Sequence, residues 1–263
     1  MTPTKPSLDR LLLTNDDGVD AEGLAILQEI AADLCDDIWT VAPLTEQSGA
    51  GHSLTLTEPL RLRRVGEQQF AVRGTPTDCV IMGMNYLMKD KRPTLVLSGV
   101  NRGANLAEDV TYSGTVAGAM EGTNAGVASI ALSQVRVRGE RKTSFDAARA
   151  LAPDLIRKLV RAGWPPGVLI NINFPALAVE DIKGVRITRQ GHQDLAMLSV
   201  NKHKDPRGFS YYWISNSARG QKTGDEDDDL LAIREGWISV TALKMNLTDH
   251  ETGEHLKKAL QRE

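Results

Sequence analysis

The sequence is poor in cysteine, in long apolar runs and in excess charge of either sign, and each shortage argues against a class of protein. Cys35 and Cys79 are far apart and form no Cys-x-x-Cys pair, which argues against a disulfide framework or structural zinc site and predicts a reducing, cytoplasmic environment. No apolar stretch is long enough to span a bilayer, so no membrane partner is expected. The net charge of -3 provides no basic field for a nucleic acid duplex, although small anions remain possible ligands.

The chain instead alternates strand and helix patterns. Its 263 residues, 41% of them hydrophobic, suffice for one large core or two unequal lobes. Hydrophobic periodicity predicts strands over 10–14, 38–42, 95–98, 129–132 and 168–174, and helices over 21–34, 77–88, 115–125 and 145–162, the last interrupted or kinked by Pro153. Alternating leucines over 54–62 predict a half-exposed strand that pairs with 70–72. The expected class is α/β, with a mostly parallel sheet and helices on both faces.

After about residue 190 this rhythm stops. We therefore divide the chain into a core over 8–190 and an extension over 191–263 that has no core of its own. The extension carries an aromatic strand pattern over 211–214 and an acidic run over 225–229. Such a run is typical of a solvated loop, with metal binding as the alternative. The extension could reach across to a second subunit, as arms do in domain-swapped oligomers.

The most informative stretch is the pair of carboxylates, Asp16 and Asp17, that follows the first predicted strand. Two like charges a few Å apart disfavour each other by roughly 4 kcal/mol, so either one acid stays protonated or a cation neutralises the pair. Mg²⁺ and Mn²⁺ prefer such hard oxygen ligands. In open α/β sheets, ligands bind outside the carboxyl ends of the strands, where this pair lies. The alternative is that Asn15 to Gly18 form only a turn and a helix N-cap.

A second segment, 97–126, leads from a strand end into a helix that begins around Tyr112-Ser113-Gly114-Thr115. Free N–H groups and hydroxyls at a helix start form an anion site, which the helix dipole strengthens. The segment is neither a Walker A loop nor a dinucleotide fingerprint, so a phosphate monoester fits it better than a triphosphate or NAD. Within the helix, glycines recur every fourth residue at positions 114, 118, 122 and 126. This smooth stripe predicts close backbone packing against a neighbour.

The third segment is a loop over 47–53, which follows the second predicted strand at the same edge of the sheet. Its Ser48, together with Asn101 from the second segment, could supply neutral oxygen ligands. Because two carboxylates and a dication sum to about zero, neutral ligands would leave the metal able to attract a phosphate dianion. His52 in this loop is a candidate general acid or zinc ligand, or else a hydrogen-bonded bystander.

These segments and several others resemble the SurE survival-protein family in order and spacing across nearly the whole chain. The matching motifs are Thr14-Asn15-Asp16-Asp17-Gly18, Gln47-Ser48-Gly49, Gly51-His52-Ser53, Gly74-Thr75-Pro76-Thr77-Asp78-Cys79, Ser98-Gly99-Val100-Asn101-Arg102-Gly103-Ala104-Asn105, Tyr112-Ser113-Gly114-Thr115, Thr188-Arg189-Gln190 and Arg234-Glu235-Gly236. The combination is highly specific. Two features depart from the family: Thr241-Ala242-Leu243 stands where Thr-Pro-Leu is usual, and the acidic run over 225–229 is atypical.

The resemblance implies a metal-dependent nucleotidase that removes phosphate from nucleoside 5′- and 3′-monophosphates, with exopolyphosphatase activity in some members. It implies a Rossmann-like core whose C-terminal arm is exchanged between the subunits of a homodimer or homotetramer. One divalent ion per subunit, Mg²⁺ or Mn²⁺, would be held by Asp16, Asp17, Ser48 and Asn101. The substrate phosphate would lie against Asn101, Asn105, Ser113, Gly114 and Thr115.

Asp16 and Asp17 are the expected catalytic residues. The metal would polarise a phosphoryl oxygen and activate water, with one aspartate as base. An aspartyl-phosphate route is conceivable, but an acid engaged on the metal is poorly placed to attack. Two other functions stay open. Zinc-dependent N-deacetylases also begin with an acidic pair, but their motif starts with histidine where this chain has Thr14-Asn15. A non-catalytic nucleotide-binding or regulatory protein would keep the pocket without the chemistry.

Overall fold

A computed structural model describes residues 8–137, 139, 142–192, 198–216 and 227–261. The strands in these residues are β1 Leu11–Thr14, β2 Ile38–Pro43, β3 Arg61–Arg64, β4 Gln69–Arg73, β5 Leu95–Arg102, β6 Ala128–Gln134, β7 Val168–Phe174, β8 Val185–Thr188, β9 Leu198–Lys204, β10 Ser210–Asn216 and β11 Ile238–Lys244. Nine of them form one sheet in the order β3-β4-β2-β1-β5-β6-β7-β11-β8. The six strands from β4 to β7 are mutually parallel, whereas β3 is antiparallel to β4 and β11 is antiparallel to β7.

Helices cover both faces of this sheet. They are α1 Glu22–Ala32, α2 Pro76–Met82, α3 Asp109–Tyr112, α4 Gly114–Asn124, α5 Asp146–Ala162, α6 Asp229–Arg234 and α7 His250–Leu260, with a π-helical turn at Gly83–Leu87 and a 3₁₀ turn at Val179–Asp181. α1 and α5 pack together on one face, and α2 and α4 pack together on the other. The predicted α/β class, with a mostly parallel sheet between two helical layers, is confirmed.

β1 shows why the sequences of the central strands are continuously apolar. Leu11 and Leu13 belong to the apolar cluster under α1 and α5, whereas Leu12 belongs to the cluster under α2. Successive side chains of a strand point to opposite faces, so a strand covered on both sides needs apolar residues at every position. β1 lies between β2 and β5, and its carboxyl end therefore falls near the centre of the sheet edge.

Two local predictions differ from the structure. The half-exposed strand predicted over 54–62 is wrong in its first part, because β3 begins only at Arg61. Thr55 there donates through its N–H and its hydroxyl to Asp78, at 3.0 and 2.6 Å, and this side-chain anchor takes the place of a strand ladder. α5 runs from Asp146 to Ala162 without interruption, and Pro153 is buried inside it.

The extension contributes to the same sheet. Its β11 lies between β7 and β8, so the sheet takes a strand from beyond residue 190, while the division of the chain at that position remains a prediction. The predicted aromatic strand over 211–214 is confirmed as part of β10, which pairs only with β9 in a hairpin. Along α7 every described side chain is exposed. No helix in the described ranges is long and apolar enough to cross a membrane.

Candidate active site

The acidic pair follows β1 at the centre of the sheet edge, beside the end of β5. Thr14, the last residue of β1, is paired with Ser98 of β5, and β5 continues to Arg102. The backbone N–H of Arg102 donates to Asp17 Oδ2 at 3.2 Å. The structure therefore brings the first and second sequence segments together, as parallel neighbouring strands require.

Asp16 lies against the first turn of α4. Asp16 is 4% exposed, and its carboxylate accepts a short hydrogen bond from the hydroxyl of Thr115. A Cβ on Gly114 would come within 2.7 Å of Asp16 Cβ, so only glycine allows the helix start this close to the carboxylate. The predicted metal site and the predicted phosphate site thus meet at one residue.

Burial raises the pKa of Asp16 from its ordinary 3.8 to about 6. The Thr115 hydroxyl opposes this rise, and the charge of Asp17 adds to it. Burial also raises the pKa of Asp17, opposed by the N–H and guanidinium of Arg102 and assisted by the charge of Glu46. Both acids are therefore costly to ionise in the metal-free protein, and a bound cation would remove that cost.

Asp17 is the more accessible acid of the pair. It lines a cavity of about 220 Å³ together with Glu22, Arg102 and Phe145. One of its oxygens accepts the Arg102 N–H. The pair therefore combines an enclosed carboxylate, fixed by Thr115, with one that faces open space.

The loop that carries Ser48 is fastened to both sides of this pair. The N–H of Gln47 donates to the carbonyl oxygen of Asp16 at 2.7 Å, and the N–H of Gly51 donates to the carbonyl oxygen of Tyr112 at 3.2 Å. Ser48 lies between these anchors, is exposed, and donates its hydroxyl to Glu46 at 2.8 Å. Its oxygen is thus held at the same edge of the sheet as the acids.

Asn101 and Asn105 of the second segment lie in different surroundings. The side-chain nitrogen of Asn101 donates to the carbonyl oxygen of Gly103 at 3.0 Å, so its oxygen is the atom that can ligate a cation. The side-chain nitrogen of Asn105 instead donates to Ser133 of β6 at 2.8 Å, and Asn105 is buried. The observed contacts of Asn105 are thus with the sheet, and its assignment to the phosphate site stays a prediction.

Two residues of β7 that are not among the predicted site residues hold the backbone of Asn105. Its N–H donates to Asn173 at 2.8 Å, and its carbonyl oxygen accepts from Asn171 at 2.9 Å and Asn173 at 3.1 Å. Buried polar groups need partners, so two asparagines in an otherwise apolar strand were a readable signal that this strand supports a loop.

The glycine stripe on α4 packs against the sheet, which confirms the packing interpretation. A Cβ on Gly118 would come within 2.7 Å of Ser98 and 2.8 Å of Thr14, and one on Gly122 would collide with Ser129. Gly126 lies beyond the helix with a φ of 82°, and a Cβ there would touch nothing within 4 Å. The contact therefore depends on the first three glycines.

His52 pairs with Glu121 of α4 at 3.0 Å, which favours the bystander interpretation. Across the described residues, no three His, Cys, Asp or Glu side chains are grouped to hold a metal ion. A cation at the acidic pair would therefore be completed by neutral oxygens, and Ser48 and Asn101 are of that type. This donor set fits Mg²⁺ or Mn²⁺ better than zinc.

The acidic run over 225–229 behaves differently from its prediction. Positions 225 and 226 lie outside the described residues, but Asp228 is 7% exposed and Asp229 is fully buried. The solvated-loop prediction is wrong for these two. Asp229 accepts the backbone N–H of Ala107 at 2.9 Å and of Gly191 at 3.0 Å. The helical pattern that begins at Asp229 was the available signal, since it places this acid on an element that packs on β11 and β8.

Comparison with known proteins gives one consistent result. A family model described as "Survival protein SurE" matches residues 11–197. Proteins named 5′-nucleotidase SurE from Brucella suis and Brucella anthropi are 55% and 54% identical over 253 residues, covering 95% of this chain and 98% and 97% of theirs. The crystal structure of the SurE protein from Aquifex aeolicus matches with a TM-score of 0.81 and 40% identity, covering 95% of this chain and 99% of that one. The chain belongs to the SurE family.

Proposed function

We propose that this protein is a metal-dependent phosphomonoesterase that hydrolyses nucleoside 5′-monophosphates to nucleoside and phosphate. The observation that supports this proposal most directly is the contact of Asp16 with Gly114 and Thr115. It places a carboxylate that can bind a cation beside a helix N-terminus that can bind a phosphate. The names of the Brucella relatives supply the nucleotide as substrate. Activity on 3′-monophosphates and on short polyphosphate belongs to the same proposal.

One divalent ion, Mg²⁺ or Mn²⁺, would be held by Asp16, Asp17, Ser48 and Asn101. When bound, it would supply charge neutralisation at the phosphoryl group and a lowered pKa for water. The donor set supports this assignment because its two carboxylates have raised pKa values and its other members offer neutral oxygens. The choice between Mg²⁺ and Mn²⁺ is left to the experiment.

The helix start would hold the phosphoryl oxygens. Ser113 caps α4 by accepting the N–H of Val116 at 3.0 Å, which leaves its hydroxyl proton free to donate to substrate. Both the hydroxyl and the backbone N–H of Thr115 stabilise the Asp16 carboxylate, so Thr115 would contribute to the phosphate site by holding Asp16 at the helix start. The Ser113 hydroxyl would stabilise the charge that develops on the equatorial phosphoryl oxygens.

The two aspartates divide the remaining work. Asp16 is buried and fixed by Thr115, which suits a residue whose role is to hold the cation. Asp17 faces a cavity and accepts one backbone N–H, which leaves an oxygen that can take a proton from the attacking water. We therefore assign the general-base role to Asp17.

The hairpin β9–β10 is proposed as the arm exchanged between subunits of a homodimer or homotetramer. The hairpin exposes three consecutive large side chains, with exposed fractions of 59% for Tyr212, 63% for Trp213 and 72% for Ile214. A contiguous exposed apolar surface of this kind is typical of a contact with another subunit. Light scattering after chromatography of the whole chain and of Trp213→Ser would test this, since a monomeric wild-type chain would contradict it. We further propose residues 8–190 as the catalytic core and the cytoplasm as the location.

The function is tested by phosphate release from a chromogenic aryl phosphate and a panel of nucleoside 5′- and 3′-monophosphates. We expect release that a chelator stops and Mg²⁺ or Mn²⁺ restores, with Asp16→Asn as the inactive control. If no substrate gives metal-restored release while nucleotides still bind, the protein is a nucleotide-binding module and the proposal is wrong.

A further inference from the structure

We propose that Asp229 is a positioning residue for this reaction, because it fixes the loop between β5 and α4 on which the phosphate site depends. The loop over 103–113 leads from the end of β5 to the cap of α4 at Ser113. The inference rests on the proposed function, since it concerns how that same site is held.

Asp229 is a buried carboxylate with a partner on each oxygen. Oδ2 accepts the N–H of Ala107 at 2.9 Å, and Oδ1 accepts the N–H of Gly191 at 3.0 Å. Two N–H donors compensate for much of the cost of burying the charge, although burial, and after it the neighbouring Asp228 side chain, still raise the pKa of Asp229 to about 6. The buried carboxylate of Asp229 therefore joins the two backbone segments that donate to it, which contain Ala107 and Gly191.

Backbone hydrogen bonds join Asp229 to the segment that follows β8. Its own N–H donates to the carbonyl oxygen of Arg189 at 3.0 Å, and the N–H of Arg189 donates to the carbonyl oxygen of Asp227 at 2.7 Å. A Cβ on Gly191 would come within 2.7 Å of the Asp228 carboxylate, so the lack of a side chain lets this segment approach. Asp229 is thus fixed to the end of β8 as well as to α6.

Ala107 is the residue through which Asp229 holds the loop. It adopts a positive φ of 49°, which an alanine rarely takes, so its conformation requires support from its surroundings. Asp229 binds its N–H, and the side-chain nitrogen of Gln190 donates to its carbonyl oxygen at 2.8 Å. Both backbone polar groups of Ala107 are therefore held by side chains, the N–H by Asp229 of α6 and the carbonyl oxygen by Gln190, which follows β8.

Both neighbours of Ala107 along the chain lead to the site. Two residues before it, Asn105 is fastened to β6 and β7. Six residues after it, Ser113 caps α4 directly beside Asp16. Release of Ala107 would free the middle of this connection, and small displacements of positioning groups are costly for catalysis.

The test compares Asp229→Asn with the matched control Asp228→Asn. Asparagine at 229 presents an amide NH₂ to one of the two N–H donors. Asparagine at 228 can still accept the N–H of Leu230, as Asp228 does at 2.8 Å, and its NH₂ group can donate to Asp229, which the Asp228 side chain contacts. For Asp229→Asn we expect KM for a nucleoside monophosphate and the inhibition constant of inorganic phosphate to rise about tenfold. The control should leave both within about twofold.

The split between KM and kcat separates positioning from folding. A merely structural role would reduce the active fraction, which lowers kcat and leaves KM and the phosphate inhibition constant unchanged. Hydrogen exchange of the peptide that spans Ala107 should also accelerate in Asp229→Asn and not in the control. If Asp229→Asn does not fold, Gln190→Ala removes the second contact to Ala107 and must show the same rise in KM.

Unchanged KM and phosphate inhibition in the folded variant would overturn the inference. A wild-type chain that releases no phosphate from any nucleotide would instead refute the proposed function, so the two failures can be told apart. An effect of equal size in Asp228→Asn would also overturn the inference, because it would show that charge in this region matters rather than the contact with Ala107.

Discussion

Replacement of Asp16 by asparagine should remove activity and yet stabilise the metal-free protein at neutral pH. Asparagine keeps an oxygen that can accept the Thr115 hydroxyl, so the contact with α4 survives. It removes the charge that burial opposes. The folded pKa of about 6 against an ordinary 3.8 corresponds to about 3 kcal/mol of unfolding free energy that the wild-type protein loses once Asp16 ionises.

The sign follows from where the proton binds. Because the folded pKa is raised, the folded state holds this proton more tightly, so the stabilisation is present at acid pH and is lost as the pH rises through about 6. Between about pH 4.5 and about pH 7.5 the loss amounts to about 2 kcal/mol. Asp16→Asn lacks this dependence. The difference in stability between the variant and the wild type should therefore grow by that amount over this range.

Urea unfolding with chelator present, at both pH values and for both proteins, measures this difference. Titrating groups that do not interact with Asp16 cancel in the comparison, whereas Asp17, whose charge acts on Asp16, does not. Addition of Mn²⁺ at about 100 times its Kd should then stabilise the wild type by about 2.7 kcal/mol and leave the variant unchanged. A pH-independent difference would refute the burial argument. Full turnover by the variant at saturating metal would refute the role of Asp16 in the reaction.

Three further predictions concern the same site. Ser48→Ala should raise the Mn²⁺ concentration for half-maximal activity about tenfold without a change in unfolding midpoint, measured by metal titration of turnover, and an unchanged titration would exclude Ser48 as a ligand. Gly114→Ala should reduce kcat/KM by at least about 10²-fold, because its Cβ would come within 2.7 Å of Asp16 Cβ. The control Gly253→Ala in α7, where a Cβ meets nothing within 4 Å, should retain full activity, and equal losses in the two variants would contradict the steric argument. Thr115→Val should raise the pKa of Asp16 further, and the pH above which the metal-free protein loses stability should move upward in urea unfolding; a fixed midpoint would contradict the role of that hydroxyl.

The sequence predicted those parts of the molecule whose causes are local. The β1–α1–β2 unit follows from periodicity, and the position of Asp16 after β1 follows from an apolar run that ends on two acids. The glycine stripe predicted close packing because a helix tolerates so many glycines only with compensation from a neighbour. The conclusion that Ser48 and Asn101 could serve the same cation required only that parallel strands end at one edge.

What could not be predicted depends on partners far along the chain. The helical pattern that begins at Asp229 indicates a packed element, but the partners of its carboxylate could not be predicted, because Ala107 and Gly191 donate through backbone N–H groups that leave no trace in the side-chain pattern. The apolar alternation over 54–62 was read as a strand because nothing local announces the anchor between Thr55 and Asp78. In each case a long-range hydrogen bond decided the local conformation.

The close approach of α4 to the sheet also determines how this site can fail. Gly114 and Gly122 are eight residues apart, so the contact extends over about 12 Å of helix axis. Because α4 contacts the sheet at both ends of this span, it cannot tilt or rotate without breaking one of the contacts. Heat or denaturant should therefore disrupt the phosphate site at the start of α4 only when the central strands of the sheet unfold, in one cooperative step. The exposed loop around Ser48 is held by two backbone hydrogen bonds, from Gln47 to Asp16 and from Gly51 to Tyr112, rather than by packing of a helix on the sheet. It should therefore open before α4 leaves the sheet, so gradual loss of function on warming should begin there.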